Sequence, residues 1–173
     1  MNLALELVNS EWWRGRPGGV VDQLDDDAWV ASFADRTGLG KLPPLARADR
    51  RALKQLRATL RALVERSSEV GLADLDAYVA AVPVRRRVVA TSLVSEPVVR
   101  DWRWACAEIA ASFVELTADG DPDRIKVCAN HECQWTFYDE SKNRSRRWCG
   151  AASCGTADKV RRFRARRAAA RRE

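Results

Sequence analysis

Four cysteines near the C-terminal end of this chain of 173 residues have the residue type and the spacing of a metal site. Cys128, Cys133, Cys149 and Cys154 stand as C-x4-C-x15-C-x4-C, two close pairs separated by a span long enough for a β-hairpin. Zn²⁺ takes four soft ligands in a tetrahedron, and two local pairs brought together by a hairpin can supply them. The spacing therefore predicts one structural Zn²⁺ bound by all four thiolates.

Other states of these cysteines are open at the level of sequence. They could form two disulfides or stay as buried free thiols, and His131, the only histidine of the chain, could replace one of them as a ligand. Ligation by four thiolates is favoured because His131 would break the symmetry of the pairs. Residues 1–10 contain Glu6 and show no signal peptide, so we expect a reducing cytoplasm, where disulfides are disfavoured.

The segments around the cysteines indicate how the pairs are brought together. Residues 134–140 alternate like a short strand, residues 141–144 are typical of its turn, and residues 145–149 are predicted to return as the second strand. Residues 155–172 are predicted to be a helix with Thr156 as its N-cap. The order of pair, hairpin, pair and helix predicts a small treble-clef-like module.

These residues resemble the CGNR zinc finger, a family named for the letters at its last cysteine. The resemblance covers roughly a quarter of the chain and rests on Phe137-x-Asp139-x-Ser141, on Arg146-Arg147-Trp148-Cys149 and on Cys154-Gly155. Where the family continues with Asn-Arg, this chain has Thr156-Ala157, so the role of that pair is missing or moved. The resemblance implies a zinc-binding module.

The first 120 residues resemble, more loosely, the ABATE domain that usually precedes this finger. The likeness lies in Leu7-Val8-Asn9-Ser10, a following Trp12 or Trp13, Asp22 with Leu24, and Trp29. The resemblance implies a ligand-binding domain in a stress-induced transcription regulator. Asn9, Trp12, Trp13 and Trp29 are therefore candidate pocket residues, although large core side chains are the favoured explanation of tryptophans in a small domain.

The positive charge of the chain is concentrated in the finger. Residues 128–173 hold 12 Lys/Arg against 5 Asp/Glu, a net charge of +7, whereas residues 1–127 hold 18 against 19. A basic helix at one end of a balanced protein is typical of a DNA-binding protein, although a solvated tail has the same composition. Val160 and Phe163 are expected to pack onto the hairpin, which would expose the candidate DNA contacts, namely Arg144, Arg146, Arg147, Lys159, Arg161, Arg162, Arg164 and Arg166.

The remaining residues, taken as a domain over 1–120, have mainly helical patterns. Helices are predicted after the cap Asp25-Asp26-Asp27 as far as about Gly38, over residues 47–69, over 74–82, and over 102–116 with Cys106 as a buried small side chain. Residues 84–94 and 98–102 are predicted to form a hairpin that turns at 95–97. With the finger in 124–173, the predicted fold class is mainly α (α+β).

The sequence favours regulation over catalysis. The only histidine lies inside a cysteine pair, and a metal ion closed by four thiolates leaves no position for a reacting water. No stretch approaches the length of a membrane span. We expect a regulator that binds DNA through the basic helix and whose N-terminal domain senses a small molecule or pairs as a homodimer. The alternatives are a finger that binds proteins and an N-terminal domain that is an enzyme or a ligand carrier.

Overall fold

The structure, a computed structural model, describes residues 2–12, 20–67, 70–118, 120–130 and 132–169. Within these residues the chain forms α-helices and three two-stranded sheets. The helices are α1 (Leu3–Val8), α2 (Asp27–Arg36), α3 (Arg47–Val64), α4 (Asp76–Ala80), α5 (Trp102–Ala118) and α6 (Thr156–Ala169). The strands are β1 (Glu11–Trp12), β2 (Val21–Asp22), β3 (Val84–Val89), β4 (Ser92–Pro97), β5 (Ile125–Val127) and β6 (Thr136–Tyr138). The predicted class, α+β with a helical majority, is confirmed.

The chain divides into two compact units. The first contains residues 1–11 and 22–122, and the second contains residues 12–21 and 123–173. Helices α1 to α5 and the hairpin β3–β4 therefore belong to the first unit, and β5, β6 and α6 belong to the second. No helix in the described part of the chain is both long enough and apolar enough to cross a membrane.

Helical stripes of apolar residues form the core of the first unit. Leu53, Leu56 and Leu60 on α3 are fully buried, as their 3–4 spacing predicts. Helix α5 packs against α3 and buries Ile109 and Phe113. Burying a side chain of this size stabilises the fold by about 1.5–3 kcal/mol relative to leaving it exposed. These stripes therefore account for much of the cohesion of the helices.

The helix ends follow local capping in one case and depart from the sequence pattern in another. The Asp26 carboxylate accepts hydrogen bonds from the backbone N–H of Ala28 at 2.9 Å and of Trp29 at 3.3 Å, so the acidic run caps α2 as predicted. Helix α3 ends at Val64, five residues before the predicted residue 69. The reason is that Arg66 takes a left-handed conformation with φ of 57°, which a sequence without glycine there does not signal.

The turn of the hairpin β3–β4 lies earlier than predicted. The strands pair antiparallel with Val84 opposite Pro97 and Val89 opposite Ser92. The turn is at Ala90, which has φ of 53°, so the prediction of a turn at 95–97 with a second strand over 98–102 was wrong. Proline at the end of a two-stranded sheet is compatible with a strand, because its missing N–H can face the free edge.

The hairpin of the second unit also uses a different partner strand. Strand β6 pairs antiparallel with β5, which precedes the first cysteine, and not with residues 145–149, which are not a strand. The prediction of a hairpin between the two cysteine pairs was therefore wrong. The first pair instead lies in the loop that joins β5 to β6, where Cys128 N donates to the Trp135 carbonyl at 2.9 Å.

Candidate metal centre and basic helix

Three segments bring the cysteine sulfurs together: the loop between β5 and β6, the loop after β6, and the turn before α6. Cys128 follows β5, Cys133 precedes β6, Cys149 lies in the loop after β6, and Cys154 lies in the single π-helical turn Ala151–Gly155 that leads into α6. All four Sγ atoms lie within 4.8 Å of one another. The Sγ–Sγ distance is 3.6 Å between Cys133 and Cys149 and 3.7 Å between Cys149 and Cys154.

These distances fit one tetrahedral metal ion. Zn–S bonds of about 2.3 Å at tetrahedral angles place neighbouring sulfurs about 3.8 Å apart. Disulfide bonds join sulfurs about 2.0 Å apart, and all five cysteines are free thiols. The predicted alternative of ligation by His131 falls on a residue outside those that the structure describes. The sulfur cluster is therefore a metal-binding site by its chemistry and its geometry.

Hydrogen-bond donors around the cluster stabilise negative sulfur. The backbone N–H of Cys149 donates to Cys128 Sγ at 3.4 Å, and the amide of the buried Asn130 donates to Cys154 Sγ at 3.7 Å. Burial raises the pKa of Cys154, but the Asn130 amide and the neighbouring thiols outweigh it, so the pKa is lowered. Burial raises the pKa of Cys133, and a nearby divalent cation would oppose that effect.

Cys106 has a different environment. It lies buried in α5, as predicted, and burial raises the pKa of its thiol to about 12. Such a thiol stays protonated and behaves as a small apolar side chain.

Asp139 organises the loop that carries Cys149. It is fully buried, and its Oδ1 accepts from the Ser141 N–H at 2.9 Å and from the Ser141 hydroxyl at 2.5 Å. Its Oδ2 accepts from Lys126 Nζ at 2.6 Å and from the Arg146 N–H at 3.0 Å. Burial raises the pKa of Asp139, but these four donors outweigh it and hold the pKa far below its ordinary value. This role was not predicted from the sequence, although an Asp side chain commonly accepts from the backbone two residues further on in such turns.

Arg146 connects that loop to the second cysteine pair. Its guanidinium lies over the Phe137 ring, 4.6 Å from the centroid, and Nε donates to the Trp148 carbonyl at 3.0 Å. It also donates to the Cys149 carbonyl. Arg146 was a candidate DNA contact, and the structure places its cationic group in contacts within the finger.

The other candidate DNA contacts have two kinds of surroundings. Arg161 donates to Asn130 Oδ1 at 3.4 Å and to Asp158 at 2.5 Å, so it ties α6 to the loop of the first cysteine pair. Arg147 is exposed and lies over the Trp148 ring at 5.3 Å. The remaining candidates are exposed, one in the loop after β6 and four on α6: Arg144, Lys159, Arg162, Arg164 and Arg166.

Helix α6 is rotated relative to the predicted orientation. Val160 is 43% exposed and Phe163 is 55% exposed, so the prediction that they pack onto the hairpin was wrong. The contact with the loop of the first cysteine pair is instead made by Arg161, whose side chain is itself 42% exposed, and Asp158, 13% exposed, binds Arg161 on the same helix. The reason is that polar contacts to Asn130, and not an apolar stripe, attach the helix to the finger.

The start of α6 also differs from the prediction. Thr156 is already helical, and its hydroxyl donates to the Ala151 carbonyl at 3.3 Å, so it does not act as an N-cap. The π-helical turn that contains Cys154 comes directly before Thr156, so the chain is already helical where α6 begins. Ala169 is the last helical residue described, and the predicted continuation to residue 172 lies outside the described residues.

The candidate pocket residues Asn9 and Trp29 lie in separate packing environments. Asn9 is buried at the C-cap of α1. Trp29 stacks on Phe33 with ring centroids 5.2 Å apart, and the Arg36 guanidinium lies 5.0 Å from its centroid. Trp13 and the side chain of Trp12 lie outside what the structure describes.

A cavity of about 550 Å³ in the first unit has other walls. Trp102 lines it, and the Trp102 indole N–H donates to the Pro43 carbonyl at 2.8 Å. Most of the other lining residues are apolar, with two carboxylates and one lysine among them: Asp27, Val30, Ala31, Ala34, Asp35, Gly40, Lys41, Leu42, Pro43, Pro44 and Leu45. Mainly apolar walls with a few charged groups are typical of small-molecule sites.

Both parts of the chain match known families. Residues 1–120 match the ABATE family, described as "Putative stress-induced transcription regulator". The chain belongs to the ABATE family. Residues 124–167 of this ABATE protein match the CGNR zinc finger, and this range includes all four clustered cysteines. No curated protein matches the chain.

The ABATE protein departs from the CGNR motif at exposed positions. Thr156 and Ala157, which stand where the family name has Asn and Arg, are exposed on the first turn of α6. Gly155, just before them, is buried beside Trp148. The departure therefore changes the surface beside the metal site and leaves the packing of the finger intact.

Proposed function

We propose that the chain is a transcription regulator that binds DNA through α6, with a Zn²⁺ ion bound by the four clustered thiolates holding that helix on the finger. The observation that carries the proposal is the exposure of Lys159, Arg162, Arg164 and Arg166 on a helix that begins at Thr156, two residues after Cys154. The description of the ABATE family supports a regulatory role. The same residues support a binding function and no catalytic role.

The metal would act as a structural cross-link. Zn²⁺ bound by four thiolates has no open coordination position, and its contribution is to replace a hydrophobic core in a small module. Cys128 and Cys133 would anchor the loop between β5 and β6, and Cys149 and Cys154 would anchor the segment leading into α6. Four free thiols suit a reducing cytoplasm, which we propose as the location of the protein.

Charge supports a polyanionic partner for the finger. Residues 128–173 have a net charge of +7 from the sequence, and Zn²⁺ with four thiolates adds about −2, which leaves about +5. Lys159, Arg162 and Arg166 follow one another at spacings of three and four, so they share one stripe of α6. A stripe of this kind can follow a phosphate backbone from within a DNA groove.

Regulation would come from a ligand in the N-terminal unit. The cavity beside Trp102 is large enough for a small molecule, and its walls are mainly apolar, with carboxylates at Asp27 and Asp35 and an amine at Lys41. We propose a small apolar ligand with one charged or polar end as the signal that this domain senses.

A protein partner is the second candidate for the finger. The observation that favours it is the exposure of Val160 and Phe163 on the same helix, with the Arg167 guanidinium 5.7 Å from the Phe163 ring centroid. Exposed apolar side chains flanked by cations also occur on helices that bind acidic proteins.

Salt dependence of DNA binding distinguishes the two functions. Each phosphate neutralised by the protein contributes a slope of about −0.9 in log affinity against log salt, so four contacts give roughly −4 on duplex DNA. Replacing Arg162 and Arg166 by Ala together should flatten the slope by about two units and weaken binding to every sequence alike. The assay is fluorescence anisotropy with a labelled duplex at several salt concentrations.

A charge-matched control makes the result specific to α6. Arg47 and Arg51 are exposed on α3, and replacing both by Ala removes the same charge from the other unit. This control should bind DNA as the unaltered protein does. Binding to duplex DNA that is weak at low salt, or that does not change on replacing Arg162 and Arg166, would refute the DNA function and favour the protein partner.

A further inference from the structure

We propose that the hairpin β3–β4 is a self-association surface, where the free edge of β4 pairs with β4 of a second copy of this chain to form a four-stranded antiparallel sheet. The proposal does not depend on the function assigned to the finger, because it rests only on residues of the first unit.

The hairpin exposes many apolar side chains. Val88 is 77% exposed, Leu93 is 62% exposed and Val84 is 57% exposed. Every residue of β3 and the residues Ser92 to Ser95 of β4 are exposed. An isolated two-stranded hairpin is at best marginally stable in water, and additional strands with a shared apolar face stabilise it. The element therefore has the properties of an incomplete sheet.

The ladder determines which backbone groups of β4 point to its free edge. The Val98 N–H donates to the Pro83 carbonyl at 3.0 Å, and hydrogen-bonded pairs alternate with non-bonded pairs along an antiparallel ladder. From the register, Leu93 and Ser95 belong to non-bonded pairs, so their N–H and C=O groups point away from β3. Pro97, the next residue on this side, has no N–H to offer.

Charge selects β4 over β3 as the pairing edge. Strand β3 carries Arg85, Arg86 and Arg87 in sequence, so two β3 strands paired antiparallel would place arginines opposite arginines. Like charges directly opposite each other destabilise strand pairing, and charged edges protect against it. The stretch of β4 from Ser92 to Ser95 carries no charge. A second copy can therefore pair along β4 without repulsion.

One register uses all the outward donors of this stretch. Leu93 would pair with Ser95 of the second copy, and Ser95 with Leu93 of the second copy, and each pair would exchange two hydrogen bonds. In this register Val94, which is 37% exposed, lies on the two-fold axis opposite its own counterpart. Pairing of this kind is isologous and closed, so it yields a dimer and not a fibre.

Charge substitution on the two-fold axis tests the proposal in the full-length protein. Sedimentation equilibrium from about 5 to 200 µM should show the unaltered protein forming dimers, as expected of a small interface with micromolar affinity. Val94→Arg and Val94→Glu should each be monomeric across this range, because each places like charges opposite each other. An equimolar mixture of the two variants should dimerise again, because opposite charges then meet.

A matched pair of proline substitutions tests which edge is used. Ser95 and Arg86 are cross-strand partners in a non-bonded pair, so proline at either position removes an outward N–H and no hydrogen bond of the hairpin. Ser95→Pro should abolish dimers, whereas Arg86→Pro should leave them. Circular dichroism should be the same for both variants.

Several results would overturn the proposal. One is an unaltered protein that stays monomeric over the whole range, and another is a mixture of the two Val94 variants that does not dimerise. Loss of dimers with Arg86→Pro but not with Ser95→Pro would assign pairing to β3. A hairpin whose Val94 variants lose DNA affinity while the unaltered protein is monomeric would be a DNA contact instead.

Discussion

Replacing Asp139 by Asn should weaken Zn²⁺ binding, although Asp139 is not a ligand. One of its oxygens, Oδ2, accepts from Lys126 Nζ at 2.6 Å and from the Arg146 N–H at 3.0 Å. In the Asp139→Asn variant, a side-chain amide whose oxygen faces Ser141 turns its NH₂ group toward these two donors. Both donors would then be buried against another donor, which costs free energy and moves the backbone at Arg146.

The displacement reaches the metal ligand through a short path. Arg146 donates to the carbonyls of Trp148 and Cys149, so a shift of its backbone moves the segment that carries the Cys149 sulfur. Changes to residues that orient metal ligands typically reduce metal affinity by about 10–100-fold. We expect a loss in this range for Asp139→Asn, measured by competition with a chromophoric zinc chelator under reducing conditions.

Glu140→Gln is the matched control. It changes the charge by the same amount at the next residue, which is exposed. This variant should bind Zn²⁺ as tightly as the unaltered protein. Native affinity in Asp139→Asn, or an equal loss in Glu140→Gln, would refute the reasoning that the buried carboxylate positions the Cys149 loop.

Three further predictions follow from the metal site, the acidic network of the first unit and the altered CGNR motif. Cys149→Ser should lose the metal and unfold the finger, while circular dichroism still reports the helices of the first unit; retention of one zinc per chain by mass spectrometry would contradict this. Burial raises the pKa of Asp22, but bonds from Arg57 at 2.6 and 2.7 Å and from Lys54 outweigh it and hold the pKa at about 2. Because the pKa of Asp22 is lower in the folded state than its ordinary value, the ionised carboxylate stabilises the fold, by about 1–2 kcal/mol after solvent screening. This stabilisation is present above pH 4 and is lost as the pH falls toward 2. Urea denaturation of Asp22→Asn should therefore show less loss of stability between about pH 5 and 2.5 than the unaltered protein shows. Finally, Thr156→Asn with Ala157→Arg should sharpen sequence preference in a DNA selection experiment, and a sharp motif already present in the unaltered protein would place base readout elsewhere.

Local chemistry was predictable from the sequence where it repeats at a fixed spacing. The leucine stripe of α3 and the acidic cap of α2 were found in this way, because helical periodicity and side-chain capping act within a few residues. The grouping of the four cysteines was also predictable, since their sulfurs share one chemical role. Strand pairing was harder to predict from the sequence. Strand β5 was missed because its three residues before the first cysteine are too few to show the alternation of a strand.

Tertiary contacts decided how the finger is assembled. Two apolar residues at helical spacing, Val160 and Phe163, predicted an inward stripe on α6, but both are exposed, and it is Arg161 that contacts the finger, through Asn130. The orientation of α6 depends on polar groups that are distant in the chain, so the helical spacing of apolar residues within α6 does not predict it.

The sequence by itself therefore determined the helical class of the fold, the four sulfur donors and the concentration of positive charge at one end of the chain. Only the tertiary structure decided which of the exposed arginines, like Arg146, also bond to backbone carbonyls of the finger. The physical reason is that composition and spacing set which groups are present, whereas the buried carboxylate of Asp139 and the sulfur cluster set the direction in which the backbone presents them.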